Sequence, residues 1–170
     1  MQAATVSQTW PELTLLEEIT IAPDATIEQL LLRGEYRNNT SEEVRELEKE
    51  FAITHRGLRR LCLADCKRKE LKKIKERMAV MKGWRVATFG DLLALGADSR
   101  QRERIQGFDI IALGSLTRIN GIPAFPYIFS FDAQPVIDKV VEFDLDLDLA
   151  DDDELPRRFL LAAKQNLHTE

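Results

Sequence analysis

Charged side chains are the residues of this chain best suited to binding chemistry, because they are segregated along the sequence. Residues 56–82 contain eleven basic and three acidic residues, whereas residues 132–154 contain ten acidic residues and one lysine. A basic segment of this kind can neutralise phosphate groups, with an affinity that falls steeply as salt increases. The candidate basic patch consists of Arg59, Arg60, Lys67, Lys72, Lys73, Lys75 and Lys82. Nucleic-acid binding is one hypothesis for this patch. The alternative is a solvated helix face, or a basic segment that the acidic strand neutralises within the fold.

Carboxylates of the second segment alternate strictly with apolar residues in VVEFDLDLDL. In a strand, this alternation places the acids side by side on one face, where they could offer hard oxygen ligands to Ca²⁺ or Mg²⁺. The run lacks the glycine and the glutamate of an EF-hand loop, and repelling carboxylates also protect a strand edge from aggregation. The candidate acidic surface consists of Asp144, Asp146, Asp148, Asp151, Asp152 and Asp153. We predict a docking surface here, with no metal and no other cofactor.

Nucleophiles are few and are badly spaced for catalysis. Cys62 and Cys66 are separated by three residues, not by the two of zinc ribbons and thioredoxin-like sites. No motif supplies a base to Ser115 or to either cysteine, and neither a phosphate loop nor a nucleophile elbow is present. The sequence therefore predicts no catalytic residue. A small metal-dependent or hydrolytic enzyme that uses Asp146, Asp148 or Cys62 is kept as a further alternative.

Large apolar residues occupy both even and odd positions of the stretch AFPYIFSF. Such a strand is either buried on two faces or has one face that meets a partner. Phe129 and Phe131 fit a core position, and the candidate interface aromatics are Phe125 and Tyr127.

The apolar periodicity predicts the elements that must position these side chains. Four helices are expected, over residues 26–33, 41–52, 69–82 and 89–96. Five strands are expected, over residues 58–65, 108–114, 125–131, 137–149 and 158–163. The pattern is typical of an α+β fold, with helices of the N-terminal half packed on a largely antiparallel sheet from the C-terminal half.

Local signals support several of these boundaries. Thr26 with Gln29 and Thr88 with Asp91 have the spacing of a capping box, which begins a helix. Gly34 is placed to end the first helix. The pair Asn120-Gly121 between two isoleucines is the strongest short hairpin signal, because both positions tolerate a positive φ.

Composition is that of an ordinary globular domain. The chain has 170 residues, of which 44% are hydrophobic and 31% charged, and a formal net charge of −5. We predict a single domain over residues 1–170, whose first dozen residues fray. Because no signal peptide and no run of about 20 apolar residues is evident, we expect a soluble, cytoplasmic protein.

Four stretches of the chain form a recognisable series: WRVATFGDLLALG, FDIIALGS, FPYIF and RRFLLAAK. The series resembles an uncharacterised family of bacterial proteins with an Arg-x-Ala-Thr-x-x-x-Leu-Leu-Ala-x-Gly helix entry, a Phe-x-Ile-Ile-Ala-Leu-Gly-Ser strand, a Pro-Tyr strand and an Arg-Phe-Leu closing strand. The matching positions are Arg85, Ala87, Thr88, Leu92, Leu93, Ala94, Gly96, Phe108, Ile110 to Ser115, Pro126, Tyr127, Arg158, Phe159 and Leu160. The resemblance implies packing and turn roles for these residues and no activity. Between Tyr127 and Arg158 the chain departs from the family, because its strand there is acidic.

Together these patterns favour a non-catalytic interaction module. We expect it to bind another protein or a second copy of itself, through the β-rich half and the oppositely charged segments. Nucleic-acid binding through residues 56–82 is the alternative from a different class.

Overall fold

The protein is represented by a computed structural model that describes residues 13–36, 53, 56–66, 76, 83–107, 109–119, 122–133, 136–145 and 157–164. The fold is α+β, as predicted from the sequence. The first dozen residues and, apart from Glu76, the predicted helices over 41–52 and 69–82 lie outside the described residues. Within the described ranges, no helix has the length and apolar character needed to cross a membrane.

Three helices are described, and two of them begin where the capping signals predicted. α1 spans Ile27–Gly34 and α2 spans Phe89–Ala97. A 3-10 turn over Ser99–Gln101 leads directly into the short α3, Arg102–Ile105. At the start of α1 the hydroxyl of Thr26 accepts the backbone N–H of Gln29 at 3.1 Å, and the Gln29 side chain accepts the N–H of Thr26 at 3.0 Å. This reciprocal pair satisfies two backbone donors that a helix start otherwise leaves without partners.

Ten strands form two sheets within the described part of the chain. The strands are β1 (Leu13–Leu15), β2 (Ile19–Ile21), β3 (Gly57–Arg59), β4 (Leu61–Cys66), β5 (Trp84–Val86), β6 (Asp109–Ile111), β7 (Thr117–Ile119), β8 (Ile122–Ala133), β9 (Val136–Leu145) and β10 (Arg157–Ala163). The larger sheet has the order β1-β4-β10-β6-β8-β7, with β5 also paired to β10 and β9 to β8. β2 and β3 form a separate two-stranded sheet.

The described strand pairs are antiparallel except for β10 with β6, which are parallel. Ile119 of β7 lies opposite Ile122 of β8, which confirms the hairpin predicted from Asn120-Gly121. Strands are spread more widely along the chain than expected, because β1 and β5 of the first half join the same sheet in addition to β4, which lies within the predicted strand over 58–65. β1 and β2 have three residues each, a length at which alternation gives no recognisable signal.

β4 shows that the larger sheet is covered on both faces. Leu61 and Leu63 point into the cluster shared with the helices, whereas Cys62 and Ala64 join a second cluster on the opposite face. All four side chains are fully buried. Cys62 therefore lies in a strand that is buried on both faces. The predicted strand over 58–65 is also interrupted at Arg60, where the chain passes from the small sheet to the large one.

α1 and α2 pack together around the ring of Tyr36. The buried Tyr36 hydroxyl donates a hydrogen bond to the backbone oxygen of Leu93 at 3.0 Å. Gly34 and Gly96 lie against the ring on either side, and a Cβ atom at either position would collide with it. Gly34 is the last residue of α1, as predicted, but it does not take the left-handed conformation that often follows a helix end. Glu35 takes that conformation instead, with φ of 51°.

Candidate functional site

The candidate site is a groove along α1 that is formed by two adjoining clefts, which we call the α1 groove. The first cleft has a volume of about 280 Å³ and the second about 380 Å³. The first is lined by Ile19, Thr20, Leu30, Arg33, Ala94, Ala97, Asp98, Ser99 and Arg100. The second is lined by Ala22, Ala25, Gln29, Leu30, Leu32 and Arg33. Because Leu30 and Arg33 line both clefts, the two adjoin each other along α1.

The amphipathic pattern of α1 explains which side chains face this groove. Ile27, Leu30 and Leu31 are buried and fix the helix on the core. Leu32 follows them by one position and is turned about 100° further around the helix, so it lies outside the apolar stripe. Its side chain is 60% exposed, among the most exposed large apolar residues described. Tertiary packing therefore holds Leu32 in place without burying it.

Arg33 lies beside Leu32 and is the unpaired charge of the α1 groove. Its side chain is exposed and forms neither a hydrogen bond nor an ion pair with the rest of the described chain. Its position in the last turn of α1 favours a cation, because the helix dipole is negative there. A guanidinium in this state offers all of its donors to an anionic group of a ligand.

Arg100 on the opposite wall is already neutralised. Its Nη2 lies 2.6 Å from Oδ2 of Asp98 and its Nε 2.9 Å from Oδ1, while Nη2 also donates to the backbone oxygen of Glu18 at 3.0 Å. The hydrogen bonds from Arg100 hold the pKa of Asp98 below its usual value, although partial burial opposes them. Since the two charges cancel, Arg33 gives the lining of the groove its net positive charge.

A second polar cluster lies at the start of α2 and is closed to ligands. The Asp91 side chain is fully buried, and its Oδ2 accepts hydrogen bonds from Arg85 Nη1 at 2.8 Å and from the backbone N–H of Thr88 at 2.9 Å. Nε of Arg59 lies 3.6 Å from the other oxygen. Burial lowers the pKa of Arg59, and the Asp91 carboxylate opposes that shift. With Arg59 and Asp91 each 1% exposed, this cluster positions α2 and cannot reach a substrate.

Two of the candidate nucleophiles, Ser115 and Cys62, are buried. The Ser115 hydroxyl accepts the backbone N–H of Phe89 at 2.8 Å, so it serves the start of α2. Cys62 is a buried free thiol, and burial raises its pKa to about 12. Within the described ranges, no three acidic, histidine or cysteine side chains lie together in a group that could hold a metal ion.

Cys62 is expected to resist alkylation in the native protein. At pH 8 the raised pKa lowers its thiolate fraction about a thousandfold relative to an ordinary cysteine. Mass spectrometry of peptides after iodoacetamide treatment should therefore find Cys62 unmodified in native protein and fully modified in urea. Because Cys66 lies four residues away in the same peptide, the measurement uses a Cys66→Ser variant in which Cys62 is the one cysteine. Rapid native modification of Cys62 would contradict the burial described here.

The predicted basic patch is only partly described, and one of its members does not lie on the surface. Arg59 is buried against Asp91, so the prediction that it binds phosphate groups is wrong. Arg60 is exposed, and its Nε lies 2.6 Å from Oε1 of Glu18. The remaining members lie outside the described residues: Lys67, Lys72, Lys73, Lys75 and Lys82.

The predicted acidic surface is described at a single position. Asp144 lies in β9, opposite Phe125 of β8. The other members lie outside the described residues: Asp146, Asp148, Asp151, Asp152 and Asp153. Docking through the oppositely charged segments therefore stays a prediction.

The two candidate interface aromatics lie on the second face of the large sheet. Phe125 is 8% exposed and belongs to the buried cluster there, so its prediction as an interface residue is corrected to a core residue. Tyr127 is partly buried and packs against the same cluster. Over residues 124–128 the strand is covered on both faces, which is the first of the two alternatives for this part of AFPYIFSF. The side chains of Phe129 and Phe131 lie outside the described part of the structure.

Comparisons with protein-family models, with curated proteins and with solved structures find no match to this chain. The resemblance to a bacterial family therefore stays a prediction, and the function must be argued from the geometry.

Proposed function

We propose that this chain is a non-catalytic protein-interaction module that binds a partner protein through the α1 groove. The observation that carries the proposal is Leu32, a large apolar side chain held 60% exposed beside the unpaired Arg33. Full burial of a leucine contributes roughly 1.5–3 kcal/mol to an association, so one such side chain can act as an anchor. The arginine beside it supplies orientation, because its charge is not satisfied within the described chain.

The framework around the α1 groove supports this role. The helix is fixed by a complete capping box and by Tyr36, which links α1 to α2. A pre-organised surface loses little conformational entropy when it binds, which favours affinity. Ala94 and Ala97 have short side chains, so a partner backbone can approach the α2 wall of the groove closely. We also retain a cytoplasmic location as part of the proposal, since Cys62 is a free thiol.

Replacing Leu32 with aspartate is the test of this proposal. The change removes the apolar anchor from an exposed position, so we expect the fold to persist and partner capture to fall at least about tenfold. Wild-type and variant proteins are used as bait in native extract, and the captured proteins are quantified by mass spectrometry with isotope labels. The circular dichroism spectrum and the unfolding midpoint verify that the variant is folded.

The matched control is Leu116→Asp, because Leu116 is 52% exposed and does not line the groove. We expect this control to capture the same proteins as the wild type. Loss of the same proteins with both variants, or with neither, would contradict the assignment of the α1 groove as the binding surface.

A further inference from the structure

We infer that the α1 groove binds an acidic peptide segment of a partner protein, in which a carboxylate stands next to an aliphatic side chain. This inference rests on the proposed function and specifies the chemistry of the partner. Its basis is the different character of the two clefts that meet at Arg33. An apolar compartment, a cationic centre and a polar compartment follow one another along the helix.

The second cleft requires the ligand to carry an aliphatic side chain. Its walls are formed mainly by Ala22, Ala25, Leu30 and Leu32, and it has a volume of about 380 Å³. A leucine-sized side chain that enters it would cover the exposed part of Leu32 and remove apolar surface from water on both partners. A charged group in this compartment would lose hydration without gaining a partner, so the apolar residue of the ligand belongs here.

Arg33 sets the carboxylate requirement. Arg33 lines both clefts and its guanidinium is unpaired within the described chain, whereas Arg100 across the groove is paired with Asp98. A carboxylate can accept two parallel hydrogen bonds from a guanidinium, which fixes orientation as well as adding affinity. The ligand therefore carries its acid within one or two residues of its aliphatic anchor.

The first cleft favours a peptide over a small apolar acid. Thr20 and Ser99 line it with hydroxyls, which can donate to and accept from the amide groups of a peptide backbone. Ala94 and Ala97 let that backbone lie close to α2. The chain of a fatty acid has no amide groups that could form hydrogen bonds with these hydroxyls. It would therefore displace water from the polar compartment without replacing the lost hydrogen bonds.

A labelled peptide that alternates aspartate with leucine tests the inference directly. The probe is fluorescein-FDLDLDLADDDE, which has the sequence of residues 143–154, and binding is followed by fluorescence anisotropy. We expect binding that weakens about 10–100-fold with Arg33→Glu, because a charge-assisted bidentate contact is replaced by repulsion. Lys164→Glu changes the net charge equally at an exposed position outside the groove, and it should bind like the wild type.

Two altered peptides separate the two requirements. Replacing every aspartate and glutamate with its amide should abolish the dependence on Arg33, and replacing the leucines with alanine should abolish the dependence on Leu32. Equal binding of the wild type by the amide peptide, with Leu32→Asp still defective, would overturn the acidic specificity and leave the proposed function standing. If the wild-type protein does not bind the acidic peptide at millimolar peptide concentration, that result also overturns the inference.

Self-association is distinguished by sedimentation equilibrium of the protein alone. We expect a monomer at the concentrations used for anisotropy. A dimer that Arg33→Glu dissociates would identify a second copy as the occupant and overturn the assignment to a separate partner protein.

Discussion

Replacement of Asp91 with asparagine should lower the free energy of unfolding by about 3–5 kcal/mol, the usual cost of removing one partner of a buried ion pair. The Asp91 side chain is fully buried, and it is the counterion of two guanidiniums, those of Arg59 and Arg85. The neutral amide leaves Arg59 in the core without an opposing charge, at a site that is 1% exposed. Urea denaturation followed by circular dichroism measures the loss.

Two variants make this prediction specific. Arg59→Met keeps the approximate volume and removes the buried charge, so it should cost much less than Asp91→Asn and should recover stability in the Asp91→Asn background. Asp98→Asn weakens a pair in which the Arg100 side chain is 56% exposed, and it should have a smaller effect than Asp91→Asn, because solvent screens the guanidinium and hydrates it when the pair is lost. Equal losses for Asp91→Asn and Asp98→Asn would show that the buried cluster is not a main source of stability.

Replacement of Tyr36 with alanine should lower the free energy of unfolding by about 3–5 kcal/mol, as for other buried aromatic residues. The ring fills the space between Gly34 and Gly96, and its hydroxyl bonds the oxygen of Leu93. The substitution therefore leaves a cavity between α1 and α2 together with a buried carbonyl that has lost a donor. Tyr36→Phe removes only the hydrogen bond and should cost about 1 kcal/mol.

A double-mutant cycle with Gly96 tests the same contact from the other side. Gly96→Ala should cost about 1–3 kcal/mol in the wild type, because the added methyl group collides with the Tyr36 ring. In the Tyr36→Ala background the methyl group has room, so the same substitution should cost little. Additive losses would show that the ring does not occupy this position.

Local patterns predicted the elements that depend on local interactions. The capping spacing of Thr26 with Gln29 located the start of α1, and that of Thr88 with Asp91 located the start of α2, since a cap is formed within one turn. The hairpin at Asn120-Gly121 was predictable for the same reason. These signals require no knowledge of the rest of the chain.

Features that depend on distant segments were not predictable from local patterns. Arg59 reads as one more cation of a basic run, but its counterion Asp91 follows 32 residues later in the sequence. The break at Arg60 sends β3 and β4 to different sheets, which no periodicity within 58–65 indicates. Gly34 has the position of a helix-ending glycine, yet packing of the Tyr36 ring decides its role.

Part of the α1 groove was predictable from the sequence. The buried positions Ile27, Leu30 and Leu31 define the inner face of α1, so the outward position of Leu32 follows from helical geometry alone. The walls of the groove come from β2 and from the end of α2, which are separated by more than 70 residues in the sequence. Their meeting is a property of the tertiary fold, and no pattern near α1 contains it.

Photo-cross-linking from position 32 tests most directly whether the α1 groove is the binding surface. A benzoylphenylalanine at position 32, irradiated in native extract, should form a covalent adduct with one partner protein, and Arg33→Glu in the same chain should abolish it. The same photoreactive residue at position 116 should give no such adduct. Adducts that are equal at positions 32 and 116, or none at position 32, would contradict the account.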